Sequence, residues 1–147
     1  MRIRTLTALV LGLCLLALVV AEGCSRGPAE EPRVKIKGKL TNNGQPIPLN
    51  PGLAQQDAGK ITLTFARLEG PNAGTTAGGA RAGVDGTFEA ALPRGKYAVG
   101  ISCAYLGDAE KKLLSKFSDT RKTPLKCEIT QEGQELNIEL SKVGTGP

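Results

Sequence analysis

From Val34 onward, apolar and polar side chains alternate along the chain. Val34, Ile36 and Leu40 are interleaved with Lys35, Lys37 and Lys39, which gives one apolar face and one row of ammonium groups, the pattern of a half-buried strand. Asn42-Asn43-Gly44 supplies the positive backbone dihedrals of a tight hairpin turn. Ile61, Leu63 and Phe65 share a face opposite Thr62 and Thr64, and Val84-Asp85-Gly86-Thr87-Phe88 reads as strand, tight turn and strand. Pro93-Arg94-Gly95 turns the chain again, and Tyr97, Val99, Ile101 and Cys103 alternate on the next strand. Leu125, Cys127 and Ile129 follow, then a Glu132-Gly133 turn and the apolar set Leu136, Ile138 and Leu140. About seven short strands separated by Gly, Pro and Asn turns predict an antiparallel β-sandwich over 34–142, with 143–147 as a disordered tail. Asp108 to Lys116 favours helix and is placed inside a crossover, outside the core. Gly70 to Gly83, rich in Gly, Ala and Thr, reads as a long mobile connection.

Ahead of this body, Arg2 and Arg4 precede an uncharged run from Leu6 to Ala21, the n-region and h-region of a secretory signal. A membrane-spanning helix needs about 20 apolar residues. The run stops short of that at Glu22, so cleavage is predicted. Val20-Ala21-Glu22-Gly23-Cys24 resembles the lipobox of bacterial lipoproteins: Gly23 is the small residue before the Cys, and Ala21 stands three before it. Glu22 departs from the usual middle position. The resemblance implies that residues 1–23 are removed and that Cys24 becomes the mature N-terminus, with a diacylglycerol on its sulfur. Ordinary signal-peptidase cleavage after Ala21 or Gly23 is the alternative. Ser25 to Arg33 has no apolar residue larger than Ala or Pro and reads as a semi-extended linker with a reach of about 30 Å.

Composition narrows the chemistry. The 147 residues carry 19 Lys and Arg against 14 Asp and Glu, and no His or Trp. Without His, the commonest general base and the commonest zinc ligand are gone, and no Ser-His-Asp or Cys-His pair is possible. Gly70 to Gly83 has no Gly-Lys-Ser/Thr ending for phosphate, and Asp85-Gly86 lacks the spaced oxygens of a calcium loop. A glycosidase pair of carboxylates would need a large cleft with aromatic platforms. No metal, cofactor or enzymatic activity is expected, and no nucleic-acid partner, because no basic patch is interleaved with aromatics. The Lys35, Lys37, Lys39 row reads as the solvated face of an edge strand.

Three cysteines survive signal removal. With Cys24 lipidated, Cys103 and Cys127 remain as an even pair on the apolar faces of their strands. A bond between them would close a loop of 23 intervening residues and stabilise by about 3 kcal/mol. Two separate buried thiols are the alternative.

Gly38-Lys39-Leu40 through Gly44-Gln45-Pro46-Ile47, Asp85-Gly86-Thr87-Phe88 and Leu92-Pro93-Arg94-Gly95-Lys96-Tyr97 resemble, in order, three motifs of carboxypeptidase-regulatory-like domains. Lys116-Phe117-Ser118-Asp119 through Thr123-Pro124-Leu125 is similar to a fourth, found in small bacterial lipoproteins. Phe117 in place of Tyr and an insert from Pro48 to Gly59 depart from the pattern. The resemblance implies a seven-stranded, antiparallel, Greek-key sandwich of the transthyretin-like kind with no catalytic centre of its own. The expected protein is therefore a non-catalytic cell-envelope lipoprotein with a binding or structural role, anchored in the membrane through Cys24. The outer membrane or periplasmic face is favoured because Ser25 is not Asp. An envelope protein or polysaccharide is the expected second partner. If anything binds the Gly-rich connection, Asn72, Thr75, Thr76 and Arg81 would contact it. The alternative is a secreted carbohydrate-binding module without an anchor.

Overall fold

A computed structural model describes residues 31–49, 52 and 60–143. The signal, Cys24, most of the linker and residues 144–147 lie outside the described residues. The alternating segments form the strands β1 (Arg33–Thr41), β2 (Ile61–Arg67), β3 (Thr76–Ala82), β4 (Thr87–Pro93), β5 (Gly95–Ser102), β6 (Lys126–Ile129) and β7 (Glu135–Glu139). One helix, α1 (Asp108–Ser115), lies in the crossover between β5 and β6, where the chain's helix-favouring segment falls. The strands make two sheets, β4-β1-β7 and β3-β2-β5-β6. Their inward faces form one apolar core, with Ile36, Leu40, Leu63, Phe65, Leu92 and Tyr97 among its most deeply buried side chains. The class is an all-β sandwich.

Four expectations are corrected. First, β1 is not an edge strand: it lies between β4 and β7, and its lysines project from the middle of the outer face. Second, pairing is not antiparallel throughout, because β1 and β7 run parallel, Lys39 opposite Asn137 and Leu40 opposite Ile138. The chain enters the four-stranded sheet twice, for β2–β3 and again for β5–β6, and its second return places β7 beside β1 in the same direction. Third, Thr76–Ala82 is not a loop but strand β3, antiparallel to β2, with Ala80 and Ala82 facing the core. Fourth, Val84 is 62% exposed within the turn, and Asp85-Gly86 joins two sheets, not two hairpin partners. Arg33, read as linker, opens β1, and its guanidinium Nη1 donates to both Ala77 O and Ala91 O at 3.2 Å, tying β3 to β4 at the ends away from that corner.

At the far end of β1 the Asn42–Gln45 turn closes as expected, with Asn43 at φ 53° and Gly44 at φ 74°. It is held by one carboxylate. Glu139 accepts from Asn43 N–H at 2.7 Å, Gly44 N–H at 3.0 Å and the Thr41 hydroxyl at 2.8 Å, and also from Ser141. Donors that favour the charged form, the Ser141 hydroxyl first, draw its pKa down from 4.5 to about 2. A carboxyl whose folded pKa is depressed stabilises above its unfolded value and loses that contribution as pH falls towards 2. Because Glu139 is only half-buried, solvent screening reduces the full linkage value to about 1 kcal/mol. Glu139→Gln is therefore expected to lower neutral-pH stability by about 1 kcal/mol and to flatten the acid limb of stability between pH 4.5 and 2. Urea midpoints measured across that range check both, and parallel acid limbs for the two proteins would contradict the assignment.

Candidate functional site

The outer face of the three-stranded sheet carries a cluster of charged and polar side chains. Outward positions of β1 alternate with its apolar ones, so Lys37, Lys39 and Thr41 project together. Register then fixes their neighbours. Lys37 lies between Glu89 of β4 and Glu135 of β7, and its ammonium lies 3.3 Å from the Glu89 carboxylate. One rung further, Lys39 stands between Thr87 and Asn137. These residues line a groove of about 890 Å³, into which Lys60 and Arg81 enter from the four-stranded sheet's side. The corner between β3 and β4 makes this possible: Gly83 N–H donates to Thr87 O at 2.9 Å, folding the end of β3 against the start of β4. Asp85 completes the corner by accepting from Thr87 N–H at 3.0 Å and the Thr87 hydroxyl at 2.7 Å, bonds that hold its carboxyl below the ordinary value.

The four residues expected to form an interaction loop are spread from the β2–β3 turn to the far end of β3. Asn72 and Thr75 belong to the β2–β3 turn, where the Asn72 carbonyl accepts from the Thr75 hydroxyl at 2.7 Å. Thr76 begins β3, and Arg81 lies five residues further along it, about 17 Å away. Arg81 joins the groove; the other three do not line it. Lys60, Thr87 and Asn137 do not stand out in the sequence. Only the ladder register brings them beside Lys39, although the outward parity of Lys37 and Lys39 is readable from the strand's own pattern.

No disulfide joins Cys103 and Cys127. Cys127 lies opposite Tyr97 in the β5–β6 ladder, and Cys103 is six residues beyond Tyr97, about 20 Å along the strand. A bond requires Cα atoms within about 7 Å. Both side chains do face the interior, but face parity leaves the offset along the strand open. Cys127 lines a smaller apolar cleft of about 260 Å³ between β6 and β7, with Leu125, Leu136 and Ile138. Burial pushes its thiol up to about 11, so it is a packing group and a poor nucleophile at neutral pH.

Among the described residues, no three His, Cys, Asp or Glu side chains are grouped so as to hold a metal ion, and no helix is long and apolar enough to cross a membrane. Among the described aromatic rings, Phe65, Phe88, Tyr97 and Phe117 are buried in the core and Tyr105 is 48% exposed.

No family model matches the chain, and no curated protein matches it. Among solved structures it is similar to a DUF3823 family protein from Parabacteroides merdae, at 20% identity over 75% of this chain and 46% of that one, with a TM-score of 0.49. A DUF3823 family protein from Bacteroides ovatus is similar at 13% identity over 74% and 44%, with a TM-score of 0.42. The Bacillus anthracis TIE protein is similar at 14% identity over 72% and 16%, with a TM-score of 0.41. The chain spans less than half the length of each.

Proposed function

We propose that the protein is a cell-envelope lipoprotein: Cys24 becomes the acylated N-terminus, and the β-sandwich is a non-catalytic module with a binding or structural role on a short tether. The observation that carries this reading is the uncharged run Leu6 to Ala21 closing on Gly23-Cys24, followed at once by a polar linker into a strand-forming body. Each buried acyl methylene contributes about 0.8 kcal/mol, so two or three chains on Cys24 anchor the protein essentially irreversibly. Ser25 in place of Asp favours the outer membrane or its periplasmic face. The finer fold that goes with this reading is a seven-stranded, Greek-key, transthyretin-like sandwich. It is supported by the docking of two motif segments on each other, Leu40 N–H donating to Gly86 O at 2.8 Å.

Metabolic labelling with a palmitate analogue tests the anchor. The wild-type chain is expected to incorporate the label and partition with membranes, and Cys24→Ala is expected to abolish incorporation. Incorporation that survives Cys24→Ala, or none in the wild type, overturns the reading. A secreted carbohydrate-binding module that stacks sugars on aromatic platforms is the weaker alternative, since four of the five rings support the core.

A further inference from the structure

The Asn42–Gln45 turn holds a chemically labile pair, Asn43-Gly44. In an Asn-Gly sequence the glycine amide nitrogen can attack the carbonyl carbon of the asparagine side chain. The new C–N bond closes a succinimide ring, the nitrogen sheds its proton and the side-chain amide leaves as ammonia. Water then opens the ring to aspartate or isoaspartate. Glycine favours attack because no side chain shields its nitrogen, and Gly44 stands in open space, with nothing within 4 Å of where a Cβ would lie. Both residues are exposed, so water reaches the turn.

We propose that Asn43 is a latent deamidation site whose rate is set by Glu139 of β7. The nitrogen that must attack is pinned by that carboxylate. Gly44 N–H donates to Glu139 Oε2 at 3.0 Å and Asn43 N–H to Oε1 at 2.7 Å, so the peptides on both sides of Asn43 are clasped at once. Attack requires the Asn43–Gly44 peptide to rotate towards the side-chain carbon. Bonds of 2.8 and 3.2 Å between Asn42 and Gln45 oppose that rotation and hold Asn43 at φ 53° and Gly44 at φ 74°. Attack also requires the Gly44 nitrogen to lose its proton, and an anionic acceptor beside it favours the neutral N–H. With its pKa drawn down to about 2, the carboxyl is too weak a base to take that proton itself. Reaction therefore proceeds from the opened turn, released from β7. Either product adds a negative charge at the residue whose own N–H is bonded to Glu139, and isoaspartate also lengthens the main chain inside the turn. The step is one-way: it turns a transient opening of this end of β1 and β7 into a permanent one. It requires neither the anchor nor a ligand.

Peptide mapping by mass spectrometry of the full-length chain in detergent, aged at mildly alkaline pH beside a free peptide of sequence 40–47, tests this. The folded protein is expected to convert Asn43 at least about tenfold more slowly than the peptide. Glu139→Gln is expected to speed conversion by about fivefold, because the charged acceptor is lost. Tyr97→Phe is the control: it removes a bond of similar worth to Pro93, which pairs with Arg33 at the other end of β1, and is expected to leave the rate unchanged. Urea curves establish that both variants are folded during ageing. The converted fraction of the wild type is expected to unfold at lower urea than the unconverted one. Conversion as fast as in the peptide, no acceleration in Glu139→Gln, equal acceleration in Tyr97→Phe, or equal midpoints for the converted and unconverted protein would each overturn the inference.

Discussion

Tyr97→Ala is expected to destabilise the sandwich by about 3–5 kcal/mol, close to the whole stability of many domains of this size. Tyr97 is fully buried, and its ring meets Phe65 edge-on at a centroid distance of 6.3 Å with an interplanar angle of 89°. That geometry aligns a positive ring edge with a negative ring face and adds to the area buried. The phenol is also satisfied: its O–H donates to Pro93 O at 2.6 Å, closing the Pro93-Arg94-Gly95 turn that links β4 in one sheet to β5 in the other. Truncation therefore opens a cavity between the sheets and strands the Pro93 carbonyl. Tyr97→Phe separates the two contributions. It keeps the ring and removes the bond, so its expected cost is about 1 kcal/mol. Denaturant midpoints of the three proteins measure both, and an unchanged midpoint for Tyr97→Phe would show that the Pro93 carbonyl finds other company.

Much of the fold was legible because its strands alternate. β1, β2 and β7 carry β-branched or Leu and aromatic residues against Lys, Thr, Glu or Asn, and β5 sets Tyr97, Val99 and Ile101 against the small Ala98 and Gly100, so a period of two is visible in each. β3 was invisible for the complementary reason. Thr-Ala-Gly-Gly-Ala-Arg-Ala has no large apolar side chain, and its inward positions are alanines that a loop would also carry. Lateral order is likewise absent from a strand's own pattern. The lysine row marks the solvent face of β1 but not that β4 and β7 flank it, because both partners lie far along the chain. β5 exceeds its pattern in another way: Ala98 and Gly100, outward by parity, are buried because the segment after α1 lies over them, with Phe117 O accepting from Ile101 N–H at 2.8 Å. The groove inherits these blind spots. Lys37, Lys39 and Arg81 stand out as charges, yet their convergence depends on a strand with the composition of a loop and on a corner with the residues of a hairpin.

Gly86→Ala is expected to cost about 3 kcal/mol, well beyond an ordinary turn glycine, and the reason is a close approach between the Gly38-Lys39-Leu40 and Asp85-Gly86-Thr87-Phe88 segments. Gly86 sits at φ 78°, where a Cβ alone costs about 1–2 kcal/mol. A Cβ there would also run into the Leu40 carbonyl oxygen, forcing apart the contact in which Leu40 N–H donates to Gly86 O at 2.8 Å. Two residues on each side the same steric logic repeats. Gly38 faces Phe88 across the β1–β4 ladder, and a Cβ at Gly38 would meet both the Phe88 ring and Leu136 O of β7. The two segments thus form one interlocked unit in which a missing side chain on each strand makes room for the other. Gly70→Ala is the control, since Gly70 has φ 88° and a methyl added there would meet nothing within 4 Å, so only the same backbone strain of about 1–2 kcal/mol applies. The difference between the two substitutions in unfolding free energy isolates the close approach. Equal costs would mean that the β3–β4 corner yields without loss, and that Gly86 reflects turn preference alone.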